Sequence, residues 1–507
     1  MASTDTNAPG TSSATPASLN HPTVVVGLFG WAMLVLVISA AMALMLTIAV
    51  TRFHNMYATR DDLGNVAQTL WNSVHGHFYQ QTANRVPVQI SHLGEHVDLG
   101  LLFWAPAFWI FNSPLVLVVG QAIALPLGAV PLYLMARRRL GPVVALAPCI
   151  LFLAVPSSYF QALFDYHTEV AAIPLLIWAM WALDERRNRT FLILAAALIL
   201  AKEDLAATVG AMGIYAMLVQ RRWRFGLPVL AVSWLWALVA LVVVIPHFHH
   251  VAGPTQLARY GYLGHGIQIP INMIIHPSIV LHHLATPTNQ HFLVQTLRPF
   301  VFLPLLGPDW LLVAVPMLAT DLLSTDPDTH SIFYQYTAVL TAVYAVATVV
   351  ALGRLKALVE AWFAPGFNRF LLRLEVGLLA LVCAVGWGAM VQRHFGPLPS
   401  LLSGTMYIQK YGPSQQALAA MVAMVPAGVP VSATNVAGGY LSDRHVFYMF
   451  PAGWQRACYV ALDAQDDAGV APLPAFQAGL RAVSRDPAYS MIYDRSGVFL
   501  FRRAGCR

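Results

Sequence analysis

Eleven stretches of this chain are too long and too apolar to be accommodated on a water-facing surface, and they decide the class of fold. The first, Val24 to Val50, runs 27 residues without a charge. About 20 mostly apolar residues suffice to cross the hydrocarbon core of a bilayer. This run is too long for the apolar region of a signal peptide and no basic segment precedes it, so it reads as a retained first span. The others lie near 114–136, 142–156, 170–183, 190–201, 204–220, 226–246, 299–307, 309–323, 333–353 and 374–392. Four are short and are expected to pair as tight helical hairpins around Lys202-Glu203-Asp204 and Gly307-Pro308-Asp309. The expectation is an all-α polytopic membrane domain of about 11 transmembrane helices. Composition agrees: 10% of residues are charged and 58% hydrophobic, with a mean hydropathy of +0.61. Soluble domains carry about 25% charged residues. Soluble enzymes, disordered chains and small disulfide scaffolds are excluded.

A net charge of +6 and a pI near 9.2 could point to nucleic acid, but the positions of the basic residues argue otherwise. Thirteen of them, Arg137, Arg138, Arg139, Arg186, Arg187, Arg189, Arg221, Arg222, Arg224, Arg354, Lys356, Arg369 and Arg373, fall on alternate loops. Cytoplasmic loops carry the Lys/Arg excess. The opposite side has six: Arg52, Arg60, Arg85, Lys202, Arg259 and Arg298. It holds eleven acids: Asp61, Asp62, Glu95, Asp98, Asp165, Glu169, Glu203, Asp204, Asp321, Asp326 and Asp328. The basic balance is therefore an orientation signal and not a nucleic-acid one. The map predicts a disordered cytoplasmic tail over 1–23, a membrane domain over 24–393, and exoplasmic loops over 51–113 and 247–298. The remainder, 394–507, is expected as an exoplasmic soluble domain of a protein of the plasma membrane. The cytoplasmic loops are too short for a nucleotide-binding domain and GxxxxGK[ST] is missing, which argues against an ATP-driven pump.

The last segment loses the long apolar runs. Gln415–Val425 and Pro472–Val483 read as helices, and 429–434, 446–450 and 458–462 as short strands. Residues 490–493 and 498–502 read as a hairpin turned at Asp494-Arg495-Ser496-Gly497. This is a small α/β domain. Cys149 and Cys383 lie in spans, whereas Cys458 and Cys506 lie in the exoplasmic part, where an oxidising compartment permits a bridge.

Three ionisable clusters fall on the exoplasmic side. Arg60-Asp61-Asp62-Leu63-Gly64-Asn65 follows the first span directly, and Asp62 is expected to start a helix lying on the membrane, with capping by Asp61 or Asp62 as the plain alternative. Phe164-Asp165-Tyr166-His167-Thr168-Glu169 occupies a very short loop, and Lys202-Glu203-Asp204 turns a hairpin. Ionisable groups near the bilayer are costly and so are functional candidates, and their convergence implies a polar cavity. His92-Leu93-Gly94-Glu95-His96 satisfies H-x-x-E-H, a zinc motif, although Gly94 weakens the helix it requires and no distal ligand is identifiable. A divalent cation or a substrate contact at Glu95, His96 or Asp98 stays open. Histidines scattered over 247–298 read as interfacial polar residues. Arg259-Tyr260-Gly261-Tyr262-Leu263-Gly264 suits an anionic group such as a phosphate.

These residues together carry a resemblance. The set is Asp62-Leu63-Gly64, Gln68-x-x-Trp71-Asn72, His75-Gly76, Phe164-Asp165-Tyr166-His167-x-Glu169, Lys202-Glu203-Asp204 and Arg259 to Gly264, followed by Asn435, Leu441, Arg444 and Phe450-Pro451. Over about residues 50–455 the chain resembles a bacterial and archaeal family of predicted membrane proteins of unknown function. That family is in turn similar to the GT-C superfamily of integral-membrane glycosyltransferases. The resemblance implies transfer of a sugar from a polyprenyl-phosphate carrier to a glycan, lipid or protein acceptor on the exoplasmic face, with a catalytic acid in the first exoplasmic loop. Asp62 is the matching position with Asp61 beside it, and the usual mixed Asp/Glu pair is here Asp-Asp, so which acts stays open. Asp62 is expected as general base and Asp165 as orienting the acceptor or the base, with Arg259 or Lys202 holding phosphate. Glu203, His167, Glu169 and Tyr260 are expected to line the substrate cavity. No cofactor is required by this scheme, a divalent cation being the one open addition. A transporter or lipid flippase, and a non-catalytic envelope subunit, remain as alternatives.

Overall fold

The computed structural model describes residues 21–84, 86–249, 256–266, 268–362, 369–466 and 473–506. The tail expected over 1–23 lies outside the described residues as far as Asn20, and the first helix already begins at His21. His250 and Arg85 are also outside them. Five helices are long and apolar enough to cross a membrane: Val25–His54, Leu115–Leu140, Trp223–Phe248, Gln335–Trp362 and Gly377–Phe395. A sixth crossing is a pair, Leu146–Leu153 and Pro156–Leu163, bent by 42°. Pro156 causes the break, since its ring cannot continue a helix that has already formed. Other apolar runs give shorter helices such as Ile173–Asp184 and Asn188–Ala201. At 1.5 Å per residue, a 12-residue helix is about 18 Å long, short of a bilayer core of about 30 Å.

The hairpin expected around Lys202 forms: helices Asn188–Ala201 and Glu203–Leu218 meet at Lys202, whose backbone is extended (φ −158°, ψ 146°). The one expected around Gly307-Pro308-Asp309 forms on one side only. Residues 309–323 lie in the helix Pro308–Leu322, but 299–307 folds as two short 3-10 turns separated by Val301 and Phe302 in left-handed conformation. Pro299 and Pro304 each remove an amide that a continuous helix would need.

The helix Ala338–Trp362 is the axis of the core; every residue from Ala338 to Val349 is buried. The arginine-rich turns meet at one end of the bundle. Arg139 reaches Asp184 at 2.7 and 2.8 Å, and Lys356 donates to the Arg139 carbonyl at 2.9 Å. Arg138 pairs with Glu185 and Arg222 with Asn188, while Gln220 donates to the Leu183 carbonyl at 2.8 Å.

In the C-terminal part five strands, β3 (Val431–Ala433), β4 (Phe447–Met449), β5 (Tyr459–Asp463), β6 (Tyr489–Arg495) and β7 (Val498–Arg503), pair in the order β4-β3-β5-β7-β6. A separate two-stranded hairpin, β1 (Gln80–Thr82) and β2 (Gln89–Ser91), lies in the first loop and carries no strong strand pattern in the sequence. The five-stranded sheet is mixed, parallel at β4-β3-β5 and antiparallel beyond. Apolar side chains cover both faces, Met421 and Phe447 on one and Trp454, Val483 and Phe501 on the other. Ser496 and Gly497, both at positive φ (51° and 81°), make the two-residue β6–β7 turn whose twist suits a hairpin. Cys458 is bonded to Cys506, Cα to Cα 5.5 Å, which ties the start of β5 to the chain beyond β7.

A seven-residue helix, Asn435–Leu441, presses this sheet region onto the first loop. Its two glycines permit the contact: a Cβ on Gly438 would sit 2.6 Å from Arg60 Cβ, and one on Gly439 2.6 Å from the Ala58 carbonyl oxygen. Because the obstacle at Gly439 is backbone, Gly439→Ala is expected to cost about 1–3 kcal/mol, as overpacking of close contacts does. The check is thermal unfolding in detergent together with trypsin sensitivity of residues 397–507; an unchanged midpoint and digest would refute the close contact.

Candidate functional site

The site is organised around a carboxylate that water does not reach. Asp165 is fully buried at the C-terminal side of the bent helix pair. It pairs with Arg52, in the last turn of the first helix, and accepts from the Thr59 hydroxyl and, at 3.1 Å, from the Thr59 amide. Gln121, a buried amide in an apolar run, donates to the Gln161 and Asp165 carbonyls at 3.1 and 3.3 Å and accepts from the His167 amide at 2.7 Å. The first helix and the 164–167 turn are thus fastened together, and the chain enters the first loop from a fixed point. Asp165, expected to orient the acceptor or the base, has its carboxylate oxygens taken up by Arg52 and Thr59.

From Thr59 the chain makes a five-residue π-turn, Arg60–Gly64, and runs on as the helix Asn65–Val74. Neither Asp61 nor Asp62 caps it. The cap comes from 375 residues away, where Asn435 Oδ1 accepts from the Arg60 and Asp61 amides, each at 2.9 Å. Arg60 turns inward and is fully buried, donating to Gln68 Oε1 (2.8 Å) and the Thr82 carbonyl (3.1 Å) over the ring of Phe447. Gln68 in turn donates to the carbonyls of Arg444 and His445. With Arg60 drawn in, Asp61 is exposed and Asp62 half-buried. The Asp62 carboxylate lies 3.5 Å from His167 Nε2.

Behind His167 is a buried ionic cluster. Lys202 Nζ donates to Glu169 at 2.7 Å and lies 3.7 Å from Asp204. His96 Nδ1 meets Glu203 at 2.8 Å, and the Thr168 hydroxyl donates to Asp98 at 2.8 Å. Burial pushes the Asp98 carboxyl up to about 7, against the opposing pull of Lys202 and Thr168. Burial disfavours a charged His96, but Glu203 outweighs it and raises that imidazole above its ordinary value. Lys202 is 8% exposed with its ammonium held between carboxylates. Lys202, expected with Arg259 as a phosphate ligand, would have to leave a buried pair to serve as one, which strands the partner charge. Arg259, 21% exposed in its side chain, pairs more loosely with Asp326 at 3.4 Å and lies 5.9 Å from the Tyr336 ring. Tyr260 is committed elsewhere, its hydroxyl donating to the Thr320 carbonyl at 2.9 Å.

The H-x-x-E-H segment does not form the helix that its motif requires. Only His92–Gly94 is helical, as one 3-10 turn, and Gly94 lies against the Phe248 carbonyl where a Cβ would approach to 2.5 Å. The side chains consequently diverge: His92 to Gln81 (3.2 Å), Glu95 to Gln81 (2.6 Å) and His96 to Glu203. Burial lowers His92 to about 3, with His96 adding to the effect. Among the described residues no group of three or more His, Cys, Asp or Glu could hold a metal ion. The structure also brings in Arg52, Gln121 and Asn435, to which the sequence assigned no role. A polar residue inside an apolar run was the available signal for Gln121; Asn435 was marked only as one of the residues that carry the resemblance.

The sequence profile of DUF2079, a family described as predicted membrane proteins, matches residues 52–500. No curated protein matches the chain. Among solved structures, the fold is similar to ArnT from Cupriavidus metallidurans bound to undecaprenyl phosphate, with a TM-score of 0.51 at 13% identity, over 93% of this chain and 98% of that one. The apo form of the same protein gives 0.51 at 12% identity, over 94% and 98%. The archaeal oligosaccharyltransferase AglB from Archaeoglobus fulgidus, in complex with an inhibitory peptide and a dolichol-phosphate, gives 0.46 at 12% identity, over 93% and 74%. ArnT is a GT-C glycosyltransferase, and at this identity the likeness is one of fold.

The Arg52–Asp165 pair sets a test of the scaffold. Asp165→Ala leaves a buried guanidinium uncompensated and is expected to cost about 3–5 kcal/mol, whereas Arg52→Met combined with Asp165→Leu should recover most of that loss. Unfolding of both variants in detergent, alongside Arg52→Met and Asp165→Leu alone, measures it; additive losses in the double variant would show that the two residues do not act as a pair.

Proposed function

The chain belongs to the DUF2079 family of predicted membrane proteins, and on that premise we propose that it is an integral-membrane glycosyltransferase of the GT-C kind. In this reading it takes a sugar from a polyprenyl-phosphate donor and passes it to an acceptor hydroxyl on the exoplasmic face. The observation that carries the reading is Asp62: a half-buried carboxylate set by two rigid anchors at the open side of a buried ionic cluster. The fold it stands in is similar to that of a protein solved with undecaprenyl phosphate.

Asp62 acts as general base. It removes the proton of the acceptor hydroxyl as that oxygen bonds to the anomeric carbon of the donor sugar. The bond from that carbon to the phosphate oxygen breaks in the same displacement, its electron pair leaving with the lipid phosphate, and the configuration inverts. Arg259 exchanges Asp326 for the departing phosphate, whose growing charge a planar guanidinium can hold at two oxygens. The scheme uses no cofactor. We further place the arginine-rich end of the bundle in the cytoplasm, following the excess of basic residues there. The 394–507 region and the Cys458–Cys506 bond then face the exoplasm, in the plasma membrane. The eleven apolar runs, several of them shorter than the bilayer core, are read as the helices of this membrane domain.

The test uses purified full-length protein with labelled undecaprenyl-phosphate sugars and a membrane extract, reading released undecaprenyl phosphate. Wild type should release it, and Asp62→Asn should slow release by about 10²–10⁴-fold, the range for losing a general base. Arg259→Gln should lower kcat more than it raises KM, since the charge it meets grows only in the transition state. Absence of release with every donor, or release unaffected by Asp62→Asn, would overturn the proposal. Substrate uptake into sealed vesicles that survives Asp62→Asn would favour transport instead.

A further inference from the structure

Both ring nitrogens of His167 face acceptors. Nδ1 lies 3.2 Å from the Asp165 carbonyl oxygen, and Nε2 lies 3.5 Å from Asp62 Oδ1. A carbonyl can only accept, and so can an ionised carboxylate. A neutral imidazole carries one N–H and could satisfy only one of them; the doubly protonated ring satisfies both. The ring has little freedom to turn away. Its backbone amide is held by Gln121 Oε1 at 2.7 Å, its face is stacked on Phe164 (5.2 Å, 11°), and its side chain is 11% exposed. The Asp165 carbonyl it meets belongs to the residue fastened to Arg52 and Thr59.

We propose that His167 is a positioning residue held as an imidazolium, which keeps Asp62 aimed at the acceptor. This deepens the glycosyltransferase reading and rests on it for the role of Asp62, though the protonation state can be measured without any substrate. His167 does not touch the reacting atoms. It acts through Asp62, by charge and by fixing one carboxylate oxygen so that the other faces outward. The charged groups that act on the ring are Asp62, Glu169 and Lys202. Burial works against its charged form and Lys202 does too, but contact with Asp62 and the charge of Glu169 outweigh them, so it titrates above an ordinary histidine. The stability this group contributes is therefore fully present below about pH 6.5 and is lost as pH rises through its raised value.

The experiment is a pH titration of ¹⁵N-histidine-labelled full-length protein in nanodiscs, followed by nitrogen-detected NMR. The His167 signal is identified as the one lost in His167→Gln. Phe164→Ala, which removes the ring current of the stacked phenyl, gives an independent assignment should that variant misfold. Both nitrogens should carry protons at pH 7, and Asp62→Asn should lower the midpoint by about one pH unit, the least expected when an opposite charge at this distance is removed. A singly protonated ring at pH 7, or a midpoint unmoved by Asp62→Asn, overturns the proposal. Where transfer is detected, His167→Gln should lower kcat at least tenfold with KM within about threefold, and abolish the alkaline limb of the wild-type pH profile. If that limb persists, the role of His167 is refuted even where Asp62 is essential. If no donor reacts while the titration behaves as expected, the glycosyltransferase reading fails and the clamp stands.

Discussion

The buried pair between Arg52 and Asp165 is the constraint on which the rest of the site depends. An ion pair taken out of water repays its desolvation only when its geometry is good and its remaining hydrogen-bonding capacity is met. Here the second acceptor capacity of Asp165 is met by Thr59, the residue that begins the first loop. One carboxylate therefore binds three points: the end of the first helix, the start of the loop, and the turn that carries His167. A shift at any of them would leave a charge stranded in a low-dielectric interior. Asp62 and His167 meet because their neighbours in sequence are already fastened.

A second clasp comes from the far end of the chain. The π-turn at Arg60–Gly64 leaves amides at its start that local residues do not satisfy, and Asn435 satisfies two of them with one oxygen. Tyr440 adds to the same interface, its hydroxyl accepting from the Ala58 amide and donating to the Phe53 carbonyl. The glycines beside it allow the two backbones to approach within van der Waals contact. In the proposed reaction, a carboxylate acting as base must be held within a fraction of an ångström of its productive position. A loop with one anchor would pivot; a loop held by the membrane bundle on one side and by the sheet region on the other does not.

The sequence made the class of fold legible because hydrophobic run length is a direct physical requirement of the bilayer. It was equally informative about the sheet region, where 429–434, 446–450 and 458–462 fold as β3, β4 and β5 with ends shifted by a residue or two. It misled where run length was the sole signal, as at 299–307, whose two prolines and left-handed residues break the helix. The helix Asn435–Leu441 was not among the expected elements; its paired glycines serve its packing against the first loop. The site was legible as a set of clusters and not as a set of roles. Spacing along the chain shows that Asp62, Asp165 and Lys202 share one side of the membrane, but how deeply each is buried depends on tertiary contacts that spacing does not encode.

Burial is what divides the labour among these charges. Asp165, Glu169, Lys202 and Glu203 are each less than a tenth exposed and are paired with one another or with Arg52 and His96. In a low-dielectric interior such pairs are expensive to separate, so they hold geometry and are poorly suited to exchanging partners during a reaction. Asp62 and Arg259 are more exposed, with ion-pair contacts of 3.5 and 3.4 Å, and Arg259 also meets Tyr336. A group that must release one partner to meet a substrate has to be cheap to separate from it. By that criterion the proposed base and the proposed phosphate ligand are less costly to move than the tightly held charges, which frame them.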